Sequence, residues 1–290
     1  MFSQFFGNYL VKSQKITAEQ LTSCMEYTRA SRVRLGLIAE EEGLLTRQQA
    51  DELNSLQRQS DKRFGDLAVE KGYLTESDVN YLIRRQGSPY YIFIQALQEK
   101  VGMGRNEIQA ALDSYQQDGG FSDEIMEAVK NGDIEKILPS FMGTEDRRYL
   151  ELTGLALRNI IRFVSTYIRI DKAYQTKSLS ARYAACQRTE GDFNGLVGFC
   201  CDNEDILAIA QGFANEPFDT VDEDSLDAVA EFTNCVNGLY AAELSYKGIN
   251  IDMLPPEILF DTTIEEDNPF YVLPIYVDSK KTNLIIQVTD

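Results

Sequence analysis

Apolar residues fall three and four positions apart through the first half of the chain. In the second half they fall partly in short, continuous or alternating runs. That change of period predicts helices first, then helices mixed with strands. The first third repeats its own punctuation: Gly7, Gly36 and Gly65 stand 29 residues apart, and so do Thr17, Thr46 and Thr75. Two stretches match closely, RLGLIAEEEGLLTRQQADELNSLQ (Arg34 to Gln57) and RFGDLAVEKGYLTESDVNYLIRRQ (Arg63 to Gln86). Each reads as a short helix, a glycine stop at Gly43 or Gly72, and a threonine N-cap opening a longer helix. Thr17 with Gln20 and Thr46 with Gln49 fit a capping box, and Thr75 with Asp78 is a weaker version. Leu53 and Leu56, then Val79 and Leu82, keep the helical spacing. The first copy has Gln14 where the others have glycine, as a terminal repeat does. Residues 1–86 therefore read as an all-α helical repeat domain.

Residues 87–143 read as a helical extension or linker, with helices at Tyr91–Val101, Arg105–Tyr115 and Asp123–Lys130. Gly119-Gly120 is either its flexible point or a turn within packed structure. Residues 144–290 read as α+β. A long helix is expected over Tyr149–Ile170. Strands are expected over Ser180–Arg188 and Asn194–Cys201, turning at Glu190-Gly191-Asp192. A helix follows at Ile206–Ala214, and a longer one, its start loaded by Asp222, Glu223 and Asp224, runs to about Tyr246 and stops at Gly248. Beyond Pro255-Pro256, Tyr271–Val277 and Asn283–Val288 close a hairpin. This order predicts helices covering one face of a largely antiparallel sheet.

The long helix is the most informative segment. At about 100° per residue, Val229, Phe232, Val236 and Leu239 share one side, and Asp227, Glu231, Asn234 and Gly238 the other. A carboxylate and a carboxamide thus project from a rigid rod above an apolar stripe. Such a pair suits insertion into another protein's active site.

Composition narrows the chemistry. Histidine is absent, which removes Ser–His and Cys–His nucleophiles, imidazole acid–base work and His-ligated zinc. The net charge of −18 argues against nucleic acid and anionic membranes as partners. Five cysteines form no C-x-x-C pair and read as small apolar residues of a reduced, cytoplasmic protein. No leader or membrane span is expected, and no metal-ligand cluster stands out.

The N-terminal pattern resembles the N-terminal domain of type II secretion and pilus ATPases of the MshE type, in which paired 24-residue motifs can bind cyclic di-GMP. The resemblance implies a nucleotide site at Arg34, Leu35, Gly36, Gly43 and Gln57 with Arg63, Gly65, Gly72 and Gln86. Arginine planes stack on guanine, and glycines admit the backbone. Phe64 departs from the leucine of the second motif. A purely structural or docking module is the other reading of these residues.

The C-terminal order of elements resembles the CheC/CheX/FliY chemotaxis phosphatases, CheX above all. It carries Glu231-x-x-Asn234, Gly238 four residues on, Asp227 one turn earlier and the IDMLPPEI segment. One such helix is evident, because the earlier one has Ala156 before Asn159. The resemblance implies dephosphorylation of a CheY-like response regulator whose own Mg²⁺ and lysine complete the site. Asn234 would orient water and Glu231 would pair with the lysine. Asp227 and Gly238 would assist docking. It also implies a possible homodimer through the sheet, for which the closing hairpin offers an edge. A second reading is a non-catalytic adaptor or cyclic di-GMP sensor that binds a response regulator or a motility or secretion component.

Overall fold

In the computed structural model, which describes residues 1–60 and 62–289, three threonines start helices in one way. Thr17, Thr46 and Thr75 open α2 (Ala18–Ala30), α4 (Arg47–Gln59) and α6 (Glu76–Arg85) with reciprocal capping boxes. Asp78 completes its box as fully as the glutamines do. Its Oδ2 accepts from the Thr75 backbone N–H at 2.8 Å, while Thr75 Oγ1 accepts from the Asp78 N–H at 3.2 Å. Bonds from the Thr75 side chain and backbone hold the Asp78 carboxyl below its ordinary value. Each cap follows a short helix, α1 (Phe2–Lys12), α3 (Leu35–Glu41) and α5 (Phe64–Glu70). Each short helix is followed by a left-handed residue: Gly43 at φ 70°, Gly72 at φ 69°, and Gln14 at φ 56°.

The glycines at the starts of these helices serve packing. A Cβ on Gly65 would lie 2.6 Å from Val79 Cγ1, and one on Gly36 would meet the Phe64 ring at 3.1 Å. The Phe64 ring thus rests on Gly36. Ile38, Leu53 and Leu82 lie at the centre of the resulting core. α7 (Pro89–Ala96), running into a π-helical turn at Leu97–Val101, α8 (Arg105–Gly119) and α9 (Asp123–Asn131) complete the first of two units, Phe2–Gly132. Gly119-Gly120 is the stop of α8, Gly120 being left-handed at φ 65°.

The second unit, Asp133–Asp290, begins with α10 (Ile134–Met142), which the pattern did not predict because Pro139 sits inside it. α11 (Arg147–Phe163) follows. The expected helix to Ile170 is corrected here. The chain leaves the helix at Val164, and Ile168–Ile170 forms β1, paired with Val277 to Ile275. Sheet pairing overrides the helical period there. β2 (Tyr174–Gly191), β3 (Asn194–Cys201), α12 (Leu207–Ala214), α13 (Glu223–Tyr246), β4 (Ile251–Met253), β5 (Glu257–Val277) and β6 (Lys280–Thr289) complete the unit.

All described pairings are antiparallel, in the order β1-β5-β6-β3-β2-β4, with β5 also bonded to β2. β2, β5, β6 and β3 therefore close on themselves. The ring needs two long strands and a register jump: β5 passes from Glu265 to Phe270 while β2 moves only from Ser178 to Thr176. Ala184, Cys186, Leu196, Cys200, Phe270, Val272 and Ile285 fill one sheet face, while α13 lies against the other side of β2. The closing hairpin turns at Asp278 and Ser279, both at positive φ. It offers no free edge, because β6 is bonded to β5 on one side and β3 on the other. The outer strands of the order are β1 and β4.

Gly65→Ala is expected to lower stability by about 1 kcal/mol in urea unfolding, because the new methyl overlaps Val79. The same substitution made in Val79→Ala is expected to cost far less, since the two sites couple directly.

Candidate functional site

α13 owes its position to its two faces. Asp222 caps it: Oδ1 accepts from the Ser225 N–H at 2.9 Å, and Ser225 Oγ accepts from the Asp222 N–H at 2.9 Å. Leu226, Val229, Phe232, Val236 and Tyr240 are buried. The Phe232 ring packs 5.6 Å from Phe199 on β3 and 5.3 Å from Phe213 on α12. Leu239, placed on this stripe by the helical wheel, is 47% exposed. The buried arc is centred nearer Thr233 and Tyr240, which leaves Leu239 past its edge.

The opposite stripe runs Asp227, Glu231, Asn234 and Gly238. Asp227 and Glu231 are exposed, and Asn234 and Gly238 are half-buried. Partial burial and then the Glu231 carboxylate push the exposed Cys235 thiol up from its ordinary value. Asp227 and Glu231 form no ion pair with any described residue. Like charges four apart cost a helix about 0.2–0.5 kcal/mol, which the position of Asp227 near the helix N-terminus partly offsets. Gly238 is not demanded by packing. A Cβ there would stand 3.9 Å from Met253 Cε, an ordinary contact.

Asn234 sits at the border of the two faces and is tied to the sheet. Gln187 on β2, 2% exposed, donates from Nε2 to Asn234 Oδ1 at 2.8 Å and to the Leu254 carbonyl at 2.8 Å. Its Oε1 accepts from Nδ2 of buried Asn237 at 2.9 Å. The Leu254 N–H in turn donates to the Arg188 carbonyl at 3.0 Å, pinning the chain just before Pro255-Pro256. Replacing Gln187 with an apolar residue would strand a buried amide and a carbonyl, each at about 1–3 kcal/mol. One lone pair of Asn234 Oδ1 is thus already used, leaving the other lone pair and Nδ2. The pattern missed Gln187. Its one sequence signal is a carboxamide on the strand register shared with buried Ala185 and Thr189.

Asn159, the counterpart on α11, is buried and donates to its own Leu155 carbonyl at 2.8 Å. A cavity of about 210 Å³ lined by Cys186, Arg188, Leu196, Glu257, Leu259 and Thr263 lies on the β2 face that Cys186 and Arg188 share, away from Gln187. Among the described residues no group of three or more His, Cys, Asp or Glu side chains is arranged to hold a metal ion. Nor is any helix long and apolar enough to cross a membrane.

Seven of the nine residues singled out in the first unit have local roles. The Arg34 N–H donates to Gln95 Oε1 at 2.9 Å, and its guanidinium pairs with Glu99. Gln86 Nε2 donates to the Val33 carbonyl at 2.7 Å. Leu35 packs on the core. Gly36 and Gly65 admit neighbouring side chains, and Gly43 and Gly72 end helices. Arg63 occupies the N-cap position of α5 without a side-chain cap bond, and both it and Gln57 are exposed.

Residues 183–276, which include all of α13, match the family model described as chemotaxis phosphatase CheX. Among solved structures, a chemotaxis protein CheX from Desulfovibrio desulfuricans is 18% identical over 48% of this chain and 99% of its own, with a TM-score of 0.41. A CheC-like superfamily protein from Shewanella sp. PV-4 is 19% identical over 48% of this chain and 95% of its own, with a TM-score of 0.42. The CheX–CheY–BeF3–Mg²⁺ complex from Borrelia burgdorferi is 17% identical over 48% of this chain and 96% of that chain, with a TM-score of 0.41. No curated protein matches the chain. Over residues 183–276 the second unit is similar to the CheX family.

Proposed function

We propose that the second unit accelerates hydrolysis of the aspartyl phosphate on a CheY-like response regulator. The observation that carries this reading is Asn234, a carboxamide held by Gln187 on an exposed helix stripe with Glu231, inside the stretch that matches the chemotaxis phosphatase model. An acyl phosphate is already activated for hydrolysis, so catalysis needs mainly a positioned water and stabilised charge.

The regulator supplies its phosphorylated aspartate, a lysine and the Mg²⁺ that screens the phosphoryl oxygens. Asn234 enters beside the phosphorus. The free lone pair of Oδ1 accepts one O–H of a water, which aims the water's oxygen in line, and Nδ2 donates to a phosphoryl oxygen. The water oxygen bonds to phosphorus, the bond to the aspartate oxygen breaks, and the carboxylate is restored. The water's protons leave with inorganic phosphate and solvent. Glu231, one turn earlier on the same stripe, pairs with the lysine and fixes the depth of insertion. Asp227 extends the acidic surface, and a basic partner surface offsets its repulsion with Glu231.

Phosphate release from acyl-phosphorylated regulators tests this directly. Asn234→Ala is expected to lower kcat by about 100-fold or more with little change in KM, the mark of an interaction made in the transition state. Glu231→Gln is expected to act chiefly on KM. A native chain that accelerates release from no regulator would contradict the reading. Gly238→Ala is expected to raise the melting temperature, since alanine is favoured over glycine in a helix by about 1 kcal/mol. It is also expected to weaken the regulator complex, because the added methyl meets the partner's backbone. A Gly238→Ala chain that binds as tightly as native would remove Gly238 from the docking surface.

A further inference from the structure

We propose that Gln187 is a positioning residue that sets which way round the Asn234 carboxamide faces. This rests on the phosphatase reading of Asn234 and adds a residue to it. The argument starts from the Leu254 carbonyl, which is main chain and can only accept. Its bond at 2.8 Å requires the Gln187 amide to present Nε2 there. Oε1 is then left to accept, and Asn237 Nδ2 fills it at 2.9 Å. The remaining Nε2 proton points to Asn234, so Oδ1 must be the atom facing inward, at 2.8 Å. A fixed backbone acceptor thus dictates the polarity of a side chain at the surface, through one glutamine.

The consequence is chemical. A half-exposed asparagine without such a partner turns over freely, and its two orientations offer a water opposite hydrogen-bonding sets. With Gln187 in place, one lone pair of Oδ1 is fixed inward, and the second, which takes the water, is thereby fixed in direction at the edge of the amide. Nδ2, which has no hydrogen-bond partner among the described residues and is not sealed from solvent, becomes the outward donor. The bond into Oδ1 also polarises the amide and strengthens Nδ2 as a donor. Gln187 touches neither the phosphoryl group nor the water. It acts through Asn234 alone.

Gln187→Glu, assayed at a pH high enough to ionise the buried carboxyl, tests the polarity, because a carboxylate of the same shape only accepts and makes Asn234 present Nδ2 inward. Gln187→Met, of similar length and without polarity, unlocks Asn234 without a buried charge; it strands Asn237 Nδ2 and the Leu254 carbonyl, so its kinetics are read at a temperature well below its own melting midpoint. In either folded variant kcat for phosphate release is expected to fall about 10- to 100-fold, with KM for the phosphorylated regulator within about twofold of native. Combined with Asn234→Ala, either substitution is expected to add nothing further, because both act through the same amide. A folded variant that keeps native kcat overturns the proposal. So does one whose penalty multiplies that of Asn234→Ala, since that marks a general structural effect. If Asn234→Ala is silent while the native chain is active, the reading of Asn234 fails first. A native chain inactive on every regulator removes both.

Discussion

One buried carboxamide holds the candidate site together. Gln187 lies on a strand whose neighbours on that face are small or apolar, and burial obliges it to satisfy both ends of its amide. It does so with three partners from two parts of the second unit: Asn234 and Asn237 on α13, and the Leu254 carbonyl ahead of Pro255-Pro256. Apolar contacts alone would let a helix slide or rotate on a sheet by a fraction of a turn at little cost. Three directional bonds of 2.8–2.9 Å do not. The helix, the strand and the turn after β4 are thereby fixed to one another, and the exposed stripe inherits that precision.

In the proposed function the stripe serves an encounter and not an enclosed reaction. Its acids repel one another with no ion pair to any described residue, and its glycine leaves room that packing does not need. Its amide is anchored at the oxygen and open at the nitrogen. These features weaken or leave neutral the free chain, and the proposed docking of a basic, phosphorylated surface against α13 would give each a purpose. In the first unit the balance is different. There the conspicuous glycines and threonines are accounted for by close helix contacts, left-handed stops and caps.

Local features were legible and non-local ones were not. The three capped helices followed from threonine and its partner three residues on, and α13 followed from an unbroken helical period ending near Gly248. The exposed positions of Asp227 and Glu231 needed only that period. Leu239 was misplaced because a wheel drawn on apolar residues ignores Thr233 and Asn237, polar residues that lie at the centre of the buried arc. The helix assigned through Ile170 overran because its apolar spacing continues into a strand that only pairing with β5 defines. The first half of β5 holds a β-prone run, Ile258 to Ile264, which the acids Glu265 to Asp267 and Pro269 interrupt. It remains one strand because β2 lies beside it. Gln187 escaped notice for the same reason, since its meaning depends on partners 47, 50 and 67 residues away.

The central claim is that α13 directs a water at the phosphorus of an acyl phosphate, turnover after turnover. The decisive measurement is release of inorganic phosphate from a phosphorylated CheY-like regulator in ¹⁸O-labelled water, with the chain at a small fraction of the regulator's concentration. The account predicts many phosphates released per chain, each carrying one oxygen from the labelled water, with none entering the regulator's aspartate. Release no faster than that of the regulator alone, or label found in the aspartate carboxylate, would contradict it.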